Sequence, residues 1–172
     1  MFCVRSVSFS VLLNGSTILT FKTQRGIQQG YPLSPYLFIL CSEILSRLIQ
    51  KAEDNGDINS IKIARNAPGI SHLMFADDIF LFCRKNMPEV GAFMSCRSAY
   101  EAWSGQKVSS NKSSLFFSPN ASKDIKRDIG LITGMSRMRD DEKYLGNPLF
   151  FSKSKVADFQ FIKKKLVDRL ES

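Results

Sequence analysis

The sequence predicts an α+β fold in which helices pack on one face of a mostly antiparallel sheet. Three observations lead there. Two hairpin signals stand in the first half of the chain, Asn14-Gly15 between apolar runs and Phe75-Ala76-Asp77-Asp78 between two more. A helical stretch beginning near Ser34 repeats its apolar residues at spacings of three and four. The elements follow in the order strands, helix, strands, helix, strand, helices, which suits a layer of helices on a sheet rather than alternating βα units.

Taken in order, residues 7–13 and 17–21 alternate as strands around Asn14-Gly15, a strong short-range turn signal. A loop rich in Gly, Gln and Pro follows, Arg25-Gly26-Ile27-Gln28-Gln29-Gly30-Tyr31-Pro32. Ser34 is expected to cap the next helix, with Pro35 in its first turn. That helix turns Leu37, Leu40, Cys41, Ile44, Leu45 and Leu48 to one side and fades at Asn55-Gly56. Residues 58–63 are a weak strand candidate, and Pro68-Gly69 punctuates the chain before the second hairpin. Residues 88–103 are expected to be helical, ending near Gly105. A short strand is expected over 114–117, and a helix capped by Ser122 over 122–131. An extended pair is expected from Tyr144 to Phe151. A final helix over 155–170 is expected to turn Val156, Phe159, Ile162, Leu166 and Leu170 inward and a lysine-rich face outward.

Composition narrows the function classes. With 172 residues, 44% of them apolar and 14 of them phenylalanine, the chain suits one domain with a core of its own. The net charge of +8 and the pI of about 9.5 favour an anionic partner, nucleic acid before a membrane surface. Cys3, Cys41, Cys83 and Cys96 form no C-x-x-C pair, and His72 is the one histidine, which argues against a zinc site. The cysteines fit buried apolar positions in a reducing compartment. Serines interrupt the first apolar stretch and no small-residue cleavage site follows it, so an intracellular protein, not a secreted one, is expected. No apolar run is long enough for a membrane helix.

Asp77 and Asp78 carry the chemistry. Adjacent carboxylates at a hairpin turn repel each other, and a divalent cation relieves that repulsion. Enzymes that join nucleotides hold two metal ions about 3.5–4 Å apart, and carboxylates suit such ions as ligands. Asp is also an ordinary turn residue, so the pair alone leaves the question open.

Together, the Gly-Gln loop and the Phe75-Ala76-Asp77-Asp78 turn resemble the reverse transcriptase of non-LTR, LINE-type retrotransposons, most of all those of plants. The resemblance continues through Tyr100-Glu101-Ala102-Trp103-Ser104-Gly105-Gln106-Lys107-Val108 with Asn111-Lys112-Ser113, and through Lys143-Tyr144-Leu145-Gly146-Asn147-Pro148. It implies residues 1–150 as a partial reverse transcriptase domain, the end of the fingers plus the palm, and residues 151–172 as the start of a thumb or connection helix. It implies Asp77 and Asp78 as catalytic ligands for Mg2+, with Mn2+ as a substitute. It places Arg25, Gly26, Gln29, Gly30, Pro32 and Ser34 against template and incoming nucleotide, and Tyr144, Leu145 and Gly146 at the primer. Lys112 is the candidate general acid, its other reading being a solvated loop lysine. The implied partners are an RNA template, a DNA primer and deoxynucleoside triphosphates, in nucleus or cytoplasm.

The chain also departs from the family pattern. Tyr31 stands where Asp is usual, Gln28 where Arg is common, and Asn147 where Leu is usual. The first palm carboxylate motif is expected upstream of Met1, in a segment this chain lacks. A fragment that does not polymerise alone is therefore expected. A basic RNA- or DNA-binding module without chemistry, or a retrotransposon relic without function, are the alternatives.

Overall fold

The computed structural model describes residues 8–22, 30–139, 142–151 and 155–171. Helices and short strands alternate as an α+β arrangement, with the strands forming four two-stranded sheets among the described residues. In the first, β1 (Ser8–Leu13) pairs antiparallel with β2 (Ser16–Lys22). Asn14 and Gly15 both take positive φ, 51° and 81°, as a two-residue primed turn requires. The register shifts between Val11 and Leu12, and the Phe9 and Phe21 rings stack at 5.8 Å.

The first helix, α1, runs Ser34–Asp54. Ser34 is not its cap, as expected, but its first residue. Leu33 is already in helical backbone (φ −84°, ψ −14°), and the Ser34 amide donates to the Tyr31 carbonyl at 3.0 Å, so the chain turns in one residue early. The buried stripe also differs from expectation. Leu40 is 64% exposed, whereas Ile49, absent from the predicted face, is fully buried. The core covers only the C-terminal half of α1. There Leu45 and Ile49 meet Ile58, and Phe93, Cys96 and Tyr100 of the second helix, α2 (Met87–Ser104).

Residues 58–63 do not form the expected strand. Ile58 is drawn into the core, its amide bonded to the Ala52 carbonyl, and only Ile61 pairs, as a single bridge to Ile70. Next comes the second hairpin, β3 (His72–Phe75) with β4 (Asp78–Leu81). Asn86 caps α2 by accepting from the Glu89 amide at 2.9 Å, and Gly105 closes it at φ 71°.

A 3-10 turn (Ser110–Lys112) leads to β5 (Ser114–Leu115), shorter than predicted. β5 pairs in parallel with β6 (Ser136–Arg137), which the sequence pattern did not show. Between them lies α3 (Lys123–Thr133), capped by the Ser122 hydroxyl as predicted and ended by Gly134 at φ 67°. β7 (Lys143–Tyr144) and β8 (Asn147–Pro148) form a last small hairpin. The C-terminal helix is broken in two, α4 (Lys155–Asp158) and α5 (Gln160–Leu170), at Phe159. Its predicted inward face is exposed instead: Val156, Phe159, Ile162, Leu166 and Leu170 all reach solvent, Leu170 at 85%. No helix among the described residues is long and apolar enough to cross a membrane.

Candidate active site

The β3–β4 hairpin divides its residues between two faces. Side chains alternate along a strand, and directly opposed residues share a side. The pairs His72–Leu81 and Met74–Ile79 therefore form one face, and Leu73–Phe80 and Phe75–Asp78 the other. The first face looks to the helices. Met74 packs on the core, and His72 Nε2 lies 2.8 Å from the Ser46 hydroxyl of α1. The neighbouring Ser71 hydroxyl sits 3.1 Å from Nδ1. Burial lowers the His72 pKa below its ordinary value, against an opposing pull from Glu53 and Glu43. The imidazole thus bridges the two hydroxyls.

The second face is open. Leu73 and Phe75 are half exposed, and Asp78 stands in solvent beside them. Asp77 occupies the turn with Ala76, whose φ of 50° has the sign that primed turns need at their first central residue. Neither carboxylate has a hydrogen bond or ion pair to the described residues, so their oxygens are available to a ligand. Among those residues no group of three metal-binding side chains gathers. Two carboxylates offer hard oxygen donors of the kind Mg2+ takes together with waters and substrate phosphates. The residues present therefore fit one side of a magnesium site.

The base of the hairpin is held by a residue that sequence reading passed over. Glu89 is 3% exposed and accepts from the Arg84 amide at 2.8 Å and from Asn59 Nδ2 at 2.6 Å. Burial raises its pKa, but these bonds and that of Asn86 outweigh the burial and leave the carboxyl below its usual range. Arg84 follows directly on the hairpin, so Glu89 ties the exit of β4 to the start of α2. The signal for it was present: Asn86-x-x-Glu89 is a helix-start pattern.

The other predicted residues distribute unevenly. Arg25, Gly26 and Gln29 lie outside the described residues. Gly30 has φ 83°, Pro32 is exposed, and Ser34 opens α1, whose Ser46 joins the aspartate hairpin through His72. Lys112 lies exposed on its own 3-10 turn, with no hydrogen bond to Asp77 or Asp78. The segment leading to it is clamped, because Glu101 accepts from Arg97 and from the Val108 amide, both at 2.9 Å. Tyr144, Leu145 and Gly146 form the turn of β7–β8, Leu145 at φ 51° and Gly146 at φ 80°. The Tyr144 ring meets Phe80 of β4 edge-on, centroids 4.6 Å apart at 74°. The structure thus joins the aspartate hairpin both to α1 and to the Tyr-Leu-Gly turn.

The family profile of reverse transcriptase (RNA-dependent DNA polymerase) matches residues 2–149. The chain belongs to the reverse transcriptase family. An uncharacterised mitochondrial protein of Arabidopsis thaliana is 48% identical over 67 residues, 39% of this chain. The match spans 55% of that relative's own length. In this member of the family the paired aspartates sit on a turn anchored from behind and open in front. The residues from Gly30 through the Tyr144 turn fall within the matched span, whereas α4 and α5 lie beyond it.

Proposed function

We propose that the chain is part of the RNA-directed DNA polymerase of a LINE-type, non-LTR retrotransposon, acting in nucleus or cytoplasm. Its reaction class is template-directed transfer of a nucleotidyl group from a deoxynucleoside triphosphate to a primer 3′-hydroxyl. The observation that carries this reading is the exposed, unpaired Asp77-Asp78 turn on a hairpin fixed to the core through its opposite face. Asp77 and Asp78 would hold Mg2+, which supplies charge stabilisation at the attacking and leaving oxygens when bound. In this reading Arg25, Gly26, Gln29, Gly30, Pro32 and Ser34 face template and nucleotide, Lys112 gives a proton to the leaving group, and Tyr144, Leu145 and Gly146 hold the primer. Residues 1–150 form the fingers end and palm, and 151–172 begin the thumb.

The chain alone is proposed to be inactive. One turn supplies ligands from a single direction, while two ions in fixed geometry need a cage. Two measurements test the reading. Manganese titration should broaden the amide signals of residues 76–78 first, and Asp77→Asn with Asp78→Asn should abolish that; broadening centred elsewhere would overturn the site. Primer extension on an RNA template with Mg2+ and four deoxynucleotides should give no product. Extension that needs both aspartates would overturn the inactivity.

A second reading, a basic nucleic-acid-binding module, is favoured by one observation. Lys143 and Lys165 Nζ lie 5.0 and 5.8 Å from the centre of the Phe161 ring, gathering positive charge where α5 meets β7. Phosphate binding there is compatible with the first reading and sufficient for the second.

A further inference from the structure

We propose that Phe80 is a positioning residue whose contact with Tyr144 sets the Leu145-Gly146 turn over the face of β4 that carries Asp78. This rests on the reading of Asp77-Asp78 as a metal site and of the Tyr144 turn as its primer-side neighbour. The pleat puts Asp78 and Phe80 on one side of β4, with Phe82 following just beyond the strand. The stacked rings of Phe80 and Phe82, with centroids 6.4 Å apart, are consistent with that placement. Tyr144 meets this same side, because its ring lies edge-on to Phe80. The β7–β8 hairpin therefore sits on the open face with Asp78 and not on the face turned to the helices.

That hairpin cannot hold itself in place. Each of its strands has two residues, and a two-stranded ribbon even of ordinary length is marginal in water. Among the described residues, its other ring contacts include Lys143 over Phe161, which faces α5, and Phe150 against Phe116 just beyond β8. The Phe80–Tyr144 pair is the ring contact that links the two hairpins directly. An edge-to-face pair also has an angular preference that an aliphatic contact lacks, so it fixes orientation as well as distance.

The test compares Phe80→Leu, Tyr144→Leu and Phe80→Tyr with the unaltered full chain. Leucine keeps an apolar side chain, so the fold persists, and helical circular dichroism checks this. Phe80→Leu and Tyr144→Leu should speed amide exchange in β7–β8 by about 2- to 10-fold, the loss of one aromatic pair, and leave α2 unchanged. Phe80→Tyr should restore the slower exchange. With manganese, broadening at Asp78 should persist in Phe80→Leu while the ratio of Gly146 to Asp78 broadening changes. Unchanged exchange in β7–β8 would overturn the joint. An unchanged ratio with Asp78 still broadened would overturn the positioning role. Absence of Asp78 broadening in the unaltered chain would overturn the metal reading and this role with it, leaving exchange to report on the contact alone.

Discussion

Replacing Glu89 by alanine should loosen the hairpin from below. The carboxylate serves two donors outside its own helix, the Arg84 amide at 2.8 Å and Asn59 Nδ2 at 2.6 Å. Each buried donor left without a partner costs about 1–3 kcal/mol, so the two together set a range of roughly 2–6 kcal/mol. The residue is 3% exposed, and relaxation around the vacated site relieves part of this loss. About 3 kcal/mol is therefore expected. Urea unfolding followed by circular dichroism measures it. The pH dependence gives a second check with a fixed sign. The folded pKa of Glu89 is depressed, so its contribution is present above the unfolded value of 4.5 and is lost as pH falls through the lower folded value. That acid-side loss should vanish in Glu89→Ala. A stability change below about 0.5 kcal/mol, the range of an ordinary surface substitution, would refute the reasoning, as would an unchanged acid limb.

Two further outcomes are expected. His72 has a folded pKa lowered from 6.5, so stability should be fully present above pH 6.5 and fall as pH drops through 6.5 towards the folded value. His72→Gln should remove that step from a plot of melting temperature against pH, and a step that stays would assign it to another group. Replacing Lys163, Lys164 and Lys165 together by glutamine should flatten the dependence of RNA binding on salt, by a slope of about 2–3 if all three meet phosphates. An unchanged slope in a filter-binding titration would place the contact elsewhere.

Turns and helix ends were the most legible parts of the fold, because their causes are local. Asn14-Gly15, Gly105 and Ser122 each act through their own backbone or the next turn, and each appears where the sequence puts it. The aspartate hairpin was legible for the same reason. Apart from the Ser34 cap, where the chain enters its helix one residue early, failures came where the cause lay far along the chain. Apolar spacing says which residues of a helix share a side but not what covers that side. Leu40 and the whole stripe of α4 and α5 therefore look buried in sequence and are exposed in the structure. Ile58 reads as strand by composition but is taken into the helix-pair core. The parallel pairing of Ser114 and Leu115 with Ser136 and Arg137 joins strands too short to leave a pattern. Of the candidate site, the placement of Asp77 and Asp78 at a hairpin turn was readable, while the ring contact between Phe80 and Tyr144 and the bond from Asn59 to Glu89 were not. Tyr144 and Asn59 are partners that only folding brings near, whereas the Asn86 and Arg84 partners of Glu89 were local and were overlooked.

On the proposed reading of Asp77 and Asp78, the two-sided hairpin writes folding and chemistry on alternate residues. His72 and Met74 answer to the helices, and Asp78 answers to solvent and whatever enters from it. The two sets are free to drift apart in heredity. On the proposed reading, a copy that changes Asp78 gives up its capacity for reaction and keeps its shape, while one that changes Met74 endangers both. On that reading, a gene of this kind goes silent before it goes shapeless.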